Sequence, residues 1–203
     1  SNTDYATVDA NGVVTAKTAG IGKTVTITAT ANDESKISGS CTLSIMAIPV
    51  SNIKINSSSA KVSAGNKIAL SANVAPANAT NKSVTWSSSN TNYATVDANG
   101  IVTTKAAGAG KTVVITATAS DGSSVSSSCT LSIVPISVKS IKLSSVNKTI
   151  QAGKKVTISA SFTPSNATNK TVTWSSNNKK YATVNSKGVV TTKKAGAGKT
   201  VTI

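Results

Sequence analysis

The chain has 203 residues with 21 lysines against 6 acids, a formal charge of +15, and contains neither arginine nor histidine. The commonest general base and metal ligand is therefore missing, and so is the preferred bidentate reader of phosphate and guanine. Aromatic residues make up 3% of the chain, too few for stacking platforms on single-stranded nucleic acid, and no apolar run reaches the ~20 residues of a membrane span.

In chain order, residues 1–48 begin with "YATVDANGVVT", two short Val/Thr-rich runs meeting at Asn11-Gly12. "KTVTITATA" follows, and then "SCTLSI", where Cys41, Leu43 and Ile45 alternate toward one side. Residues 49–136 start with "VSNIKIN", which sends Ile53 and Ile55 one way and Lys54 the other. "KIALSANV" places Ile68, Leu70, Ala72 and Val74 on one face of a single strand, and "PANATNK" is a turn. "SVTWSSS" turns Val84 and Trp86 inward. "YATVDANGIVTT" reads as two strands joined at Asn99-Gly100, a strong hairpin signal. "KTVVITATA" directs Val113 and Ile115 to the core, and "VSSSCTLSI" does the same for Cys129, Leu131 and Ile133. Residues 137–203 repeat the beginning of this series, with Trp174 as the core tryptophan and Lys187-Gly188 at the hairpin. A period of two runs through short β-branched segments separated by Gly, Asn, Asp, Ser and Pro, which predicts an all-β chain of tandem β-sandwiches with about seven strands per unit.

The unit is 88 residues long. "KTAGIGKTVTI" at Lys17, "KAAGAGKTVVI" at Lys105 and "KKAGAGKTVTI" at Lys193 recur at that spacing, as do Tyr5, Tyr93 and Tyr181. The division is then the C-terminal part of a repeat (1–48), a complete repeat (49–136) and the N-terminal part of a third (137–203). Neither partial unit can bury a full core by itself. The expectation is that the native chain continues in both directions; the alternative is a neighbouring copy that donates strands.

Trp86, followed by "YATVDANGIVT", a glycine and a strand ending "ITATA", resembles the bacterial immunoglobulin-like domain of the group 2 type. That module occurs in tandem in intimin- and invasin-like adhesins and in clostridial surface proteins. The resemblance implies an extracellular, cell-surface spacer or adhesive stalk rather than an enzyme. Asn185 replaces the hairpin Asp9 and Asp97, so a carboxylate there is dispensable for the turn.

Gly110-Lys111-Thr112 has the tail of a phosphate-loop signature, but Lys105 stands where the first glycine belongs and an alternating strand follows. We read Gly108 and Gly110 as permissive residues of a strand-to-strand corner. The complete repeat has one cysteine, which excludes a disulfide within it, and strand phase makes Cys129 a buried hydrophobe. Its two acids, Asp97 and Asp121, are too few for calcium. No catalytic residue, cofactor or metal is implied. Short Pro-bearing joints, "LSIMAIPVSNIKI" and "LSIVPISVKSIKL", predict restricted angles between units. The functional expectation is a semi-rigid stalk or fibre segment. Its partners are neighbouring repeats of the same chain and other copies in a fibre. The alternative is adhesion to acidic glycans or wall polymers through Lys54, Lys142, Lys154, Lys155, Lys179 and Lys180.

Overall fold

A computed structural model describes residues 2–144 and 147–203. The first stretch contains β1 (Ala6–Val8), β2 (Val14–Ala16), β3 (Thr24–Thr30) and β4 (Ser38–Ser44), with a 3-10 turn at Thr18–Gly20. The second contains β5 (Asn52–Ile55), β6 (Ser59–Ser63), β7 (Lys67–Ala69), β8 (Ala72–Ala75) and β9 (Val84–Ser88). It continues with β10 (Ala94–Val96), β11 (Ile101–Thr104), a 3-10 turn at Ala106–Gly108, β12 (Thr112–Ala119) and β13 (Ser126–Val134). The third contains β14 (Ser140–Leu143), β15 (Lys155–Thr157), β16 (Ala160–Thr163), β17 (Ala182–Val184) and β18 (Val189–Thr192).

In the complete repeat one sheet has the order β6-β13-β12-β9, and opposite it lie the three-stranded sheet β10-β11-β7 and the pair β5-β8. All pairings are antiparallel except β6 with β13, which is parallel. Alternation along β12 and β13 turns Val113, Ile115, Ala117, Cys129, Leu131 and Ile133 inward, where they are buried. They meet Ile53, Ile55, Leu70, Ala94 and Val102 of the opposing strands in one core. Each fully buried Val, Leu or Ile contributes about 1.5–3 kcal/mol, which makes this packing the main cohesive term of the repeat. Thr104, the buried polar residue of this core, donates its hydroxyl to the carbonyls of Ser63 and Asn66 at 2.9 and 2.8 Å, tying β11 to the β6–β7 turn.

The complete repeat has nine strand segments rather than seven. The apolar run read as one strand is two, because β7 pairs with β11 while β8 pairs with β5. The chain changes partner at Leu70-Ser71, where the Leu70 amide donates to Gly100 O and the Asn56 amide donates to Ser71 O. The inward side is kept across the change, with Leu70 buried and Ile68, Ala72 and Val74 half-buried, so apolar alternation alone does not reveal it. The short β6 carries Val62 as its buried residue, with Ala64 buried just after it, a weak signal beside those of β12 and β13. Trp86 is half-buried against the core rather than fully enclosed.

Candidate functional site

The three copies of the glycine-lysine corner have one geometry. Lys105 N donates to Tyr93 O at 2.8 Å, a 3-10 turn follows, and Gly110 takes a φ of +76° before β12. The amides of Gly110 and Lys111 donate to the carbonyls of Ile133 and Gly108 at 2.7 and 2.8 Å. The N–H groups that a phosphate loop would aim at a nucleotide are therefore engaged within the fold. Gly108 has a different role from the permissive dihedral expected of it. A Cβ there would lie 2.6 Å from Ile133 Cδ1 and 2.9 Å from Tyr93 O, so the residue is glycine for close approach.

The hairpin at Asn99-Gly100 closes through a loop of three residues. Asp97 N donates to Ile101 O and Gly100 N donates to Asp97 O, leaving a three-residue loop over 98–100. The Asp97 carboxylate organises it by accepting from the amides of Asn99 and Ile101, both at 2.9 Å. Asp9 does the same for Asn11 and Val13, and the Asn185 side-chain oxygen does it for Lys187 and Val189. The loop needs an acceptor oxygen at this position, with or without a charge. Gly100 has a φ of +77°, and a Cβ would fall 2.3 Å from Leu70 O and 3.0 Å from Trp86 Cζ2. Gly188 sits in the same way against Ile158 O and Trp174, at 2.2 and 3.0 Å, whereas nothing lies within 4 Å of a Cβ on Gly12.

The joints carry the most informative geometry. Ile48 N donates to Thr80 Oγ1 at 2.8 Å, and Thr80 N returns a bond to Ile48 O at 2.9 Å. Ile136 and Thr168 form the same reciprocal clip, at 2.8 Å in each direction. Both threonines close a "PANAT" or "PSNAT" turn after a cis proline, Pro76 or Pro164. On the other side of the second joint, Val134 O accepts from Ala64 N at 2.9 Å. Only Pro135 stands between a residue fixed to one repeat and a residue fixed to the next. Just after the first joint, within the complete repeat, Asp121 accepts from Val50 N at 2.6 Å while its other oxygen accepts from the Ser123 hydroxyl and amide. The Ser123 hydroxyl bond, with the Val50 and Ser123 amide bonds behind it, holds the Asp121 carboxyl below its ordinary range.

Residues 49–129 and 137–203 each match the bacterial Ig-like domain (group 2). The chain belongs to this family. The Ig-like virion protein of Serratia phage KSP90 is 38% identical over 139 residues, covering 68% of this chain and 54% of that protein. The kappa-carrageenase of Pseudoalteromonas carrageenovora is 43% identical over 68 residues, 34% of this chain and 17% of the enzyme. The chain thus spans about half of the virion protein and a much smaller share of the enzyme. Among solved structures, mouse cadherin-23 EC22-24 aligns at 17% identity with a TM-score of 0.38, covering 94% of this chain and 72% of that one.

The two cysteines have different surroundings. Cys129 is fully buried and its thiol is raised by that burial, whereas Cys41 is exposed. Strand phase placed Cys41 inward, and its pairing with Ile27 across β3–β4 keeps that phase. The inward face of β4 is uncovered because residues 2–48 contain no counterpart of β5 to β9. Lys54, Lys142, Lys154, Lys155, Lys179 and Lys180 are all exposed. Lys54 and Lys142 occupy equivalent places on β5 and β14. The other four border the third-repeat sheet β15-β18-β17, where Lys193 Nζ also donates to Lys179 O at 2.8 Å. Among the described residues no three His, Cys, Asp or Glu side chains gather as a metal site, and no helix is long and apolar enough to cross a membrane.

The threonine clips and the Asp97 acceptor were missed by strand periodicity, since both lie in turns. The signal available for the clips was the recurrence of Thr80 and Thr168 one period apart beside a proline.

Proposed function

We propose that the chain is a semi-rigid spacer, a stalk or fibre segment of an extracellular or surface-exposed protein whose tandem Ig-like repeats set a distance. The observation that carries this reading is the single unanchored residue, Pro135, between Val134 and the Ile136–Thr168 clip. A flexible linker distributes rotation over many bonds, and here almost none remain. The occurrence of similar segments in a virion protein and in an enzyme supports a mechanical module independent of either protein's particular task. With β13 nine residues long, each repeat adds on the order of 30–40 Å at ~3.3 Å per residue. Small-angle scattering on arrays of three to five repeats tests the reading. The expected maximum dimension grows linearly with repeat number; a compact or freely jointed profile overturns it.

A second reading is retention on anionic glycans or wall polymers, favoured by the four lysines bordering the β15-β18-β17 sheet. Attraction of this kind is screened beyond ~8–10 Å at physiological salt. Retention on a polyanionic column that falls steeply between low and physiological salt, and is lost when Lys154, Lys155, Lys179 and Lys180 become Gln, is the expected outcome. Binding indifferent to salt removes this reading and leaves the spacer.

A further inference from the structure

A spacer that links a surface to something else is pulled at both ends, so the arrangement of its terminal strands decides how it yields. In the complete repeat the chain arrives at Val50, runs through β5 into β6, and leaves after β13 at Ile136. The strands β6 and β13 are neighbours and run parallel, in the register Ser59↔Thr130 through Ser63↔Val134. The ladder is bracketed by Thr130 N to Ser58 O and by Ala64 N to Val134 O, both 2.9 Å.

Parallel pairing of the first and last long strands has a directional consequence. Tension at the leading joint draws β6 backward along its own axis, and tension at the trailing joint draws β13 forward along its axis. The two strands are pushed to slide past each other, and the hydrogen bonds between them lie across the pull. All must give together. In an antiparallel hairpin pulled from its open end, the bonds break one after another. The Ile48–Thr80 and Ile136–Thr168 clips leave little slack outside the repeat, and load from the leading joint reaches the ladder once the Ile48–Thr80 clip and β5 have given. The short β5 is met first, held by Ser51 N to Ala75 O at 2.9 Å and by the buried Ile53 and Ile55.

We propose that the parallel β6–β13 ladder is a shear clamp that gives each repeat its resistance to tension along the array, so that the spacer is a load-bearing element. This rests on the spacer reading for the direction of pull, while its test measures force and not shape. The phase of the two bracketing bonds puts the amides of Ala60, Val62 and Ala64 on the ladder and turns that of Lys61 to the open edge of the sheet.

The test is single-molecule pulling of the 203-residue chain in a Cys41→Ser background. The complete repeat is identified by its release of roughly 260–290 Å of contour, from 88 residues at 3.3–3.6 Å less the folded length. Forced rupture reports the unfolding barrier along the pulled direction. Handles at the two chain ends are compared with handles on Asn66→Cys and Pro135→Cys, which lie just past the neighbouring ends of β6 and β13 and peel the ladder. The expected rupture force is several-fold higher end to end than by peeling. Ala60→Pro, which removes a ladder amide, lowers the end-to-end force, and Lys61→Pro leaves it unchanged. Equal forces in the two directions overturn the proposal, as does a folded Ala60→Pro repeat that ruptures at the original force. If Ala60→Pro fails to fold, the two handle geometries on the one sequence still decide. Scattering that shows a flexible array alongside directional rupture would reject the spacer and keep the clamp.

Discussion

Gly100 is held to glycine twice over, by a φ of +77° and by the carbonyl of Leu70, which a Cβ would approach to 2.3 Å. Gly122 has a φ of +87° with open space around it, so it meets the conformational demand alone. Gly122→Ala then costs about 1–2 kcal/mol, the left-handed penalty for an L-residue, and Gly100→Ala costs clearly more because Leu70 and Trp86 must move. Denaturant unfolding of the two variants checks this, and equal losses would show that the hairpin adapts freely. Leu131, fully buried at the centre of β13, belongs to the same scale: Leu131→Ala is expected to cost about 2–5 kcal/mol through lost burial and the cavity left behind. The cysteines give a third comparison. In the folded 203-residue chain an aqueous thiol reagent is expected to label Cys41 readily and Cys129 only after denaturation. Labelling of both at one rate would mean that the second core opens readily.

Among the elements, the joint clip is the one whose loss has a defined readout. Thr168→Val deletes the oxygen that accepts from Ile136 N and keeps the backbone bond that returns to Ile136 O. The expected cost is about 0.5–1.5 kcal/mol for one such bond, with faster hydrogen exchange at Ile136 and little change within β12. Unchanged exchange at Ile136 would show that the clip contributes nothing to holding the joint. Much of the architecture is legible from residue alternation, because β12, and β13 from Cys129 onward, carry an apolar residue at every second position and their outward positions are mostly Ser and Thr. What alternation does not record is hydrogen-bond partnership. Lys67 to Ala75 keeps one inward side while its partner changes from β11 to β5, and that exchange is invisible in side-chain polarity. The turns were hidden for a related reason. Thr80 and Asp97 act through single oxygens on backbone amides, and a threonine or aspartate in a loop looks the same whether its oxygen is used or not.

At the scale of the whole molecule, the 88-residue period is a structural constant. The strands Ala6–Val8, Ala94–Val96 and Ala182–Val184 fall at the same phase, and each pairs in the same register with the strand after its hairpin. The chain thus repeats its side-chain order together with its hydrogen-bond connections, including the threonine clip that begins each new unit. The identical clips at Ile48 and Ile136 have a consequence for how such an array changes over generations. In-frame recombination between similar copies would add or remove whole periods, and each junction so made keeps the isoleucine–threonine clip, although the flanking residues differ (Ala47 stands where the second joint has Pro135). Reach would then change in steps of one repeat, with each step ending on the same hydrogen-bonded isoleucine–threonine pair.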